Sequence, residues 1–338
     1  MIQALQTRGG TAPASTVPCA QLAAISRRGF VIGAALAALG THVARAQTPA
    51  ATPEGVFPRT ITDARGQQVT IPAPPERIYT FRNYIDYDTA LALGVVPAGW
   101  GSPGWGLTPY QLEAGGVENA IDVVDGPDLE EMMAREIDLI LVTKFSAELR
   151  SEELVAMEQL GVPIVAIPDT DVHGQLEIAG QALGLEETAR EVAEQFEAEV
   201  QAFTPEIMPE SIMIVMFYDM TQFYLYTDAA SASKTLVQLG LPALSSPVEP
   251  PPGERPDMVT LSVERAAEID AEWVIGLIDD DPVLAQQMMD LPVFQSIPAV
   301  KAGKFRTLDA SPANAISGPD VLTLPITIAA LTEVFAAE

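Results

Sequence analysis

Leu129-Glu130-Glu131-Met132-Met133-Ala134-Arg135-Glu136 reads as a helix, and Asp138-Leu139-Ile140-Leu141-Val142-Thr143 follows it almost at once. The second stretch is apolar at every position from Leu139 to Val142, with no polar alternation. A strand of that kind is buried on both faces, as in a parallel sheet covered by helices on each side. Working outward, the same grammar recurs. Arg77–Phe81 is predicted as a strand, Asp86–Leu93 as a helix and Val95–Gly99 as a strand. Ser151–Leu160 reads as a helix and Pro163–Ile167 as a strand. Upstream, Ile61–Ile71 forms a small hairpin around Thr62-Asp63-Ala64-Arg65-Gly66.

Between Glu186 and Phe203 the period changes. Ala189, Val192, Ala193, Phe196 and Val200 recur at helical spacing in a charged segment that Thr204-Pro205 stops. Beyond it a second alternating half begins. Strands are predicted at Ser211–Phe217, Gln222–Tyr226, Trp273–Leu277 and Phe305–Leu308. Helices are predicted at Ser233–Leu239, Val263–Ile269 and Pro282–Met289, with a terminal one from Val321. The expected fold is therefore α/β: two Rossmann-like lobes joined by a single long α-helix, with a ligand cleft between them. The expected divisions are an N-terminal extension and signal over 1–46, an N-terminal lobe over 57–170, a connecting helix over 171–205 and a C-terminal lobe over 206–338.

The first residues set the compartment. Ser26-Arg27-Arg28-Gly29-Phe30-Val31 is a twin-arginine sequence, followed by an apolar run to Leu39 and by Ala44-Arg45-Ala46. This order reads as an export signal cleaved near Ala46, with the translation start lying inside Met1–Ile25. The expected location is the periplasm. The single cysteine, Cys19, precedes the twin arginines, so the exported chain would carry no disulfide and no lipid-anchor thiol. Residues 1–46 also hold four arginines and no acid, which leaves 14 basic residues against 46 acidic ones. Such an acidic chain repels phosphate, and nucleic-acid partners are excluded on that ground.

Several stretches resemble the ferric-siderophore substrate-binding proteins of ABC importers, a family of periplasmic receptors. The stretches are Ile61–Gly66 with Val69–Ile78, Ala90-Leu91-Ala92-Leu93-Gly94-Val95-Val96-Pro97-Ala98-Gly99, Pro127–Glu130 continuing to Ile137–Leu141, Leu261–Glu264 through Trp273–Ile275, and Ile297–Lys304. The resemblance runs through the exported chain in order. It departs where a Lys-Pro-Asp is usual and Glu136-Ile137-Asp138 stands here. It implies little hinge closure, capture of an iron(III)-siderophore or similar chelate, and delivery to an ABC permease with a cytoplasmic ATPase. The protein would work as a monomer, with no cofactor and no catalytic residue. It also implies that Glu130 and Glu264 dock the permease, with Glu131 as the alternative to Glu130. Haem or cobalamin are the other ligands of this importer class.

The loops after the strands should line the cleft. Arg82, Tyr84, Tyr87, Trp100, Trp105 and Lys144 are the candidates from the first half, and Tyr218, Tyr224 and Tyr226 from the second. Aromatic faces and hydroxyls suit a bulky chelate, and Arg82 and Lys144 suit its anionic groups. No metal site is expected, because His173 is the only histidine of the exported chain and Asp279-Asp280-Asp281 lacks the spacing of a calcium loop. Gly99-Trp100-Gly101-Ser102-Pro103-Gly104 matches G-x-G-x-x-G, but the irregular residues after it are not the helix a dinucleotide site needs. A hydrolase is the alternative of another class, starved of parts by one histidine, no cysteine and no G-x-S-x-G. A receptor that reports on a chelate without importing it is a third.

Overall fold

The structure, a computed structural model, describes residues 56–102, 106–122, 128–252, 255–278, 282–308, 310–318 and 320–336 of the 338-residue chain. The twin-arginine segment, its cleavage site and Trp105 lie outside these residues. Among the described residues no helix is long and apolar enough to cross a membrane.

The chain opens with an antiparallel hairpin, β1 (Arg59–Thr62) and β2 (Gln68–Ile71). Its turn is built on the buried Asp63 carboxylate. Oδ1 accepts from the backbone N–H of Arg65 at 2.9 Å and of Gln67 at 3.0 Å, and Oδ2 from Arg65 Nε at 2.7 Å. The N-terminal lobe follows with β3 (Ile78–Thr80), α1 (Ile85–Ala92), β4 (Gly99–Ser102), α2 (Pro109–Glu113), β5 (Ala120–Asp122) and α3 (Leu129–Ala134). It is completed by β6 (Leu139–Thr143), α4 (Lys144–Leu149), α5 (Ser151–Glu158) and β7 (Ile164–Ile167). The strands form one parallel sheet in the order β5-β4-β3-β6-β7. The turn after β1 is pinned to edge strand β7, where Ala64 N donates to Ala166 O at 2.9 Å and Arg65 Nη2 to Ile164 O at 3.1 Å. The hairpin thus occupies backbone groups that an edge strand would leave open.

The connecting segment is a helical hairpin rather than one free helix. α6 (Val172–Leu183) is stopped by Gly184, whose left-handed φ of 71° lets the chain reverse into α7 (Glu186–Ala202). His173, expected as an ordinary surface residue, is half-exposed on α6. Its ring packs edge-on against Phe196 of α7 at 6.1 Å, and its Nε2 lies 3.2 Å from Glu197.

The C-terminal lobe contains β8 (Ile212–Asp219), β9 (Gln222–Tyr226), α8 (Ser231–Gln238), β10 (Met258–Ser262) and a 3-10 turn over Val263–Glu268, where an α-helix was expected. β11 (Trp273–Leu277), α9 (Pro282–Met289), α10 (Pro292–Gln295), α11 (Pro298–Lys301), β12 (Phe305–Leu308), α12 (Ala310–Ser317) and α13 (Leu324–Val334) complete it. Its sheet runs β10-β9-β8-β11-β12, so both lobes place their own strands in the order third, second, first, fourth, fifth. They differ at one strand. Only Met220 and Thr221 separate β8 from β9, too few for a crossover helix, and β9 is antiparallel to both neighbours.

One apolar core joins the lobes. Ile61, Ile78, Leu139 and Val165 of the N-terminal lobe, Phe196 of α7, and Ile212, Trp273 and Phe335 of the C-terminal lobe belong to the same buried cluster. The interior of α7 has neither proline nor glycine to bend at. Small-angle scattering should therefore show no measurable change in radius of gyration when ligand is added. A compaction like that of hinge-closing receptors would contradict the shared core.

Candidate functional site

Parallel strands deliver their loops to one end of a sheet, and in the N-terminal lobe that end is polar. β3 runs out into Phe81-Arg82-Asn83-Tyr84, which leads into α1. Arg82 is half-buried. Its guanidinium lies 5.0 Å from the Phe81 ring centre and forms no salt bridge with a described residue. Asn83 is buried, with Nδ2 donating to Gly106 O at 2.9 Å and its backbone carbonyl accepting from Gln111 Nε2 at 2.7 Å. Tyr84, at the N-cap of α1, is 48% exposed. One turn on, the buried Asp86 accepts from Arg82 N at 3.0 Å through Oδ2. Burial pushes this carboxyl up to about 7, against the pull of the backbone N–H groups of Arg82, Asp86 and Tyr87. Four buried polar atoms on β3 and the residues after it have no hydrogen-bond partner among the described residues: Tyr79 OH, Thr80 Oγ1, Asn83 Oδ1 and Asp86 Oδ1. Buried polar atoms of this kind ordinarily engage ordered water or a ligand group.

Lys144 leaves the same end of the adjacent strand β6, which pairs with β3. Its side chain is 45% exposed, 4.0 Å from Glu148. Phe145 beside it is exposed, and its backbone N–H donates to Asp169 Oδ1 at 2.9 Å. Burial raises the Asp169 carboxyl, opposed first by that N–H bond. Arg82, Tyr84, Lys144 and Phe145 thus share one rim.

Tyr87 and Trp100 do not join it. Both are fully buried and meet edge-on at 6.1 Å. Each is tied to the peptide groups of Val117, with Val117 N donating to Tyr87 OH at 3.0 Å and Trp100 Nε1 donating to Val117 O at 3.2 Å. Their expected ligand contact is corrected: in this structure they hold the 117 loop to α1 and β4. Tyr226 is corrected for a different reason. Because β9 is antiparallel, it carries Tyr226 away from the β8–β9 turn, and the residue ends 6% exposed in the shared core with its hydroxyl 3.8 Å from Met216 Sδ. Tyr224, two residues nearer the turn, is half-buried on the same strand face. The side chain of Tyr218 and all of Trp105 lie outside the described residues.

The glycines of the G-x-G segment have packing reasons. A Cβ on Gly99 would stand 3.0 Å from Ile121 Cδ1 and 3.2 Å from Arg135 Nη1. On Gly101 it would clash with the Phe81 carbonyl oxygen and stand 2.7 Å from Tyr79 OH.

Glu130 and Glu264 are both exposed. Glu131 is engaged, accepting from Arg135 Nε at 2.7 Å, which leaves Glu130 as the outward-facing acid of α3. The Glu264 carboxyl is held below the usual range by its own backbone N–H and then by the Ser262 hydroxyl.

Sequence reasoning missed Asp88 and Asp320. They come from different lobes, are both buried, and hydrogen-bond to one another through their side chains. The closeness of Asp86 and Asp88 on one predicted helix was the only available signal, since two acids two residues apart cannot both face the same way on a helix.

A family model described as Periplasmic binding protein matches residues 87–312. Among curated protein sequences none matches the chain. Solved structures match along nearly their whole length. Holo-ViuP superposes with a TM-score of 0.68 at 19% identity, over 84% of this chain and 97% of that one. The iron uptake ABC transporter substrate-binding protein PiaA from Streptococcus pneumoniae gives 0.63 at 24% identity, over 82% and 98%. Staphylococcus aureus SirA complexed with staphyloferrin B gives 0.64 at 20% identity, over 82% and 98%. Two α/β lobes on a helical connector, a polar rim at the strand ends and a family match over most of the sequence agree: the chain belongs to the periplasmic binding protein family.

Proposed function

We propose that this protein captures an iron(III)-siderophore, or a closely similar iron chelate, in the periplasm and hands it to an ABC permease driven by a cytoplasmic ATPase. The observation that carries the reading is Arg82, a half-buried cation without a salt bridge among the described residues, on a rim shared with Tyr84, Lys144 and Phe145. A guanidinium so placed is ready to donate to chelate oxygens. The description of PiaA as an iron uptake protein and the staphyloferrin B bound to SirA support the ligand class. Export through the twin-arginine signal and action as a monomer complete the reading. Glu130 and Glu264, outward-facing acids on separate lobes, are assigned to the permease. The protein binds its ligand without turning it over.

Calorimetric titration with ferric hydroxamate, catecholate and carboxylate complexes tests this, with haem and cobalamin alongside. At least one ferric chelate should saturate at a one-to-one ratio. Arg82→Ala should weaken an anionic chelate by about 1.5–3 kcal/mol, the worth of a charged hydrogen bond. Binding of haem or cobalamin with indifference to every ferric chelate would overturn the assignment. An unchanged affinity in Arg82→Ala would remove that residue from the site.

A further inference from the structure

The N-terminal lobe meets residues 320–323, the loop leading into α13, at a contact that ligand capture does not explain. Leu322 of that loop packs against the buried Tyr87, Leu91, Trp100 and Ala114. Beside it the Asp88 carboxyl of α1 faces the Asp320 carboxyl, and both residues are at most 2% exposed. Three of the four carboxyl oxygens also accept from neighbouring groups. Asp88 Oδ1 accepts from Gln111 Nε2 at 2.6 Å and Oδ2 from Tyr110 OH at 3.1 Å. Asp320 Oδ1 accepts from the backbone N–H of Leu322 at 2.7 Å and of Thr323 at 3.0 Å. Neither carboxyl forms a salt bridge with a cation among the described residues. Two carboxylates cannot hydrogen-bond to each other unless one of them keeps a proton. Asp320 is the better anion, because two peptide N–H groups converge on it.

We propose that Asp88 and Asp320 are positioning residues that share a single proton, and that this proton latches the two lobes together beside the ligand rim. With the proton in place, Asp88 donates to Asp320 and Leu322 stays seated. Without it, two buried like charges face each other and the loop must lift or admit water. Burial raises both carboxyls, and the Asp320 charge raises Asp88 further, so the pair titrates above the ordinary carboxylate range. The sign follows. The folded pair holds a proton that the unfolded chain has already released, so the latch is closed on the acid side and weakens as pH rises through the folded midpoint. The other titratable groups against the pair are Tyr110 of α2, whose hydroxyl burial keeps protonated, and Asp86 and Tyr87 on α1. Asp86 titrates near neutrality in its own right, and its effect must be separated from that of the pair.

Difference infrared spectroscopy of the full exported chain reads the proton directly. At neutral pH the wild type should show the carbonyl stretch of a protonated carboxyl, with a component that Asp88→Asn removes and Asp86→Asn leaves. Hydrogen exchange reads the latch. Protection of the Leu322 and Thr323 amides, corrected for intrinsic rates, should fall by about 10-fold or more between mildly acid and mildly alkaline pH in the wild type. In Asp88→Asn an amide replaces the proton-bearing group, and in Asp320→Asn the facing charge is removed, so in either variant that protection should be independent of pH. Asp86→Asn should retain the dependence. No protonated-carboxyl band, or pH-independent protection at Leu322 and Thr323 in the wild type, would overturn the proposal even if an asparagine variant failed to fold. Persistence of the full pH dependence in both asparagine variants would overturn it as well.

Discussion

Gly101→Ala should destabilise the protein by about 3 kcal/mol or more, at or beyond the upper end of ordinary overpacking. The added methyl would clash with the Phe81 carbonyl oxygen and meet Tyr79 OH at 2.7 Å. A flexible side chain could swing away, but Phe81 O belongs to the backbone leaving β3. Relief therefore requires the two central strands to separate, at the point where Arg82 and Asn83 are positioned. Thermal unfolding should show a melting temperature lower by about 6–12 °C, using roughly 2–4 °C per kcal/mol for a chain of this size. Gly318→Ala is the control. Its nearest contact, Asn314 O at 3.7 Å, is ordinary, so stability should hardly move. Wild-type stability in Gly101→Ala would mean that β3 and β4 are less tightly apposed than this structure shows.

The second large effect concerns transport. The Glu130→Ala, Glu264→Ala double variant should lose about 90% or more of radioactive-iron uptake while the purified protein keeps its chelate affinity, since charge complementarity fixes orientation and register at an interface. The competing explanation is that both acids merely support their helices, worth about 0.3–1 kcal/mol each. Geometry disfavours it at Glu264, which is the second residue of a six-residue 3-10 turn and not part of an α-helix. It also separates Glu130 from Glu131, whose carboxylate is occupied by Arg135 at 2.7 Å. Glu131→Ala should therefore lower stability slightly and leave uptake intact. A double variant that transports normally would end the docking assignment.

The lobes were legible because buried parallel strands announce themselves. Leu139–Val142 and Trp273–Leu277 have no solvent face, and composition alone reveals that. The direction of β9 was also readable in principle, because a two-residue gap permits a hairpin and forbids a crossover. Missing it placed Tyr226 at the wrong end of its sheet. The burial of Tyr87 and Trp100 was not readable. An aromatic residue with a polar handle suits a cleft or an interior equally, and the choice here rests on Val117, whose N–H and carbonyl are both within reach. The G-x-G spacing carried a similar ambiguity. Gly101 is explained by Phe81 and Tyr79, and Gly99 by Ile121 and Arg135, contacts that exist only after folding. Asp88 and Asp320 were the least readable, because nothing in either local sequence names its partner.

The apolar cluster that runs from Ile61 through Phe196 to Trp273 and Phe335 bears on how receptors of this design can diversify. Lobes with independent cores could be exchanged between relatives like cassettes. Here an exchanged half would meet foreign side chains across a common interior packed as densely as a crystal, where a single methylene is felt. Under the proposed function, new ligand preferences are therefore more accessible through substitutions at Arg82, Tyr84, Lys144 and Phe145 than through shuffling of whole lobes. The interior makes the two halves inherit together.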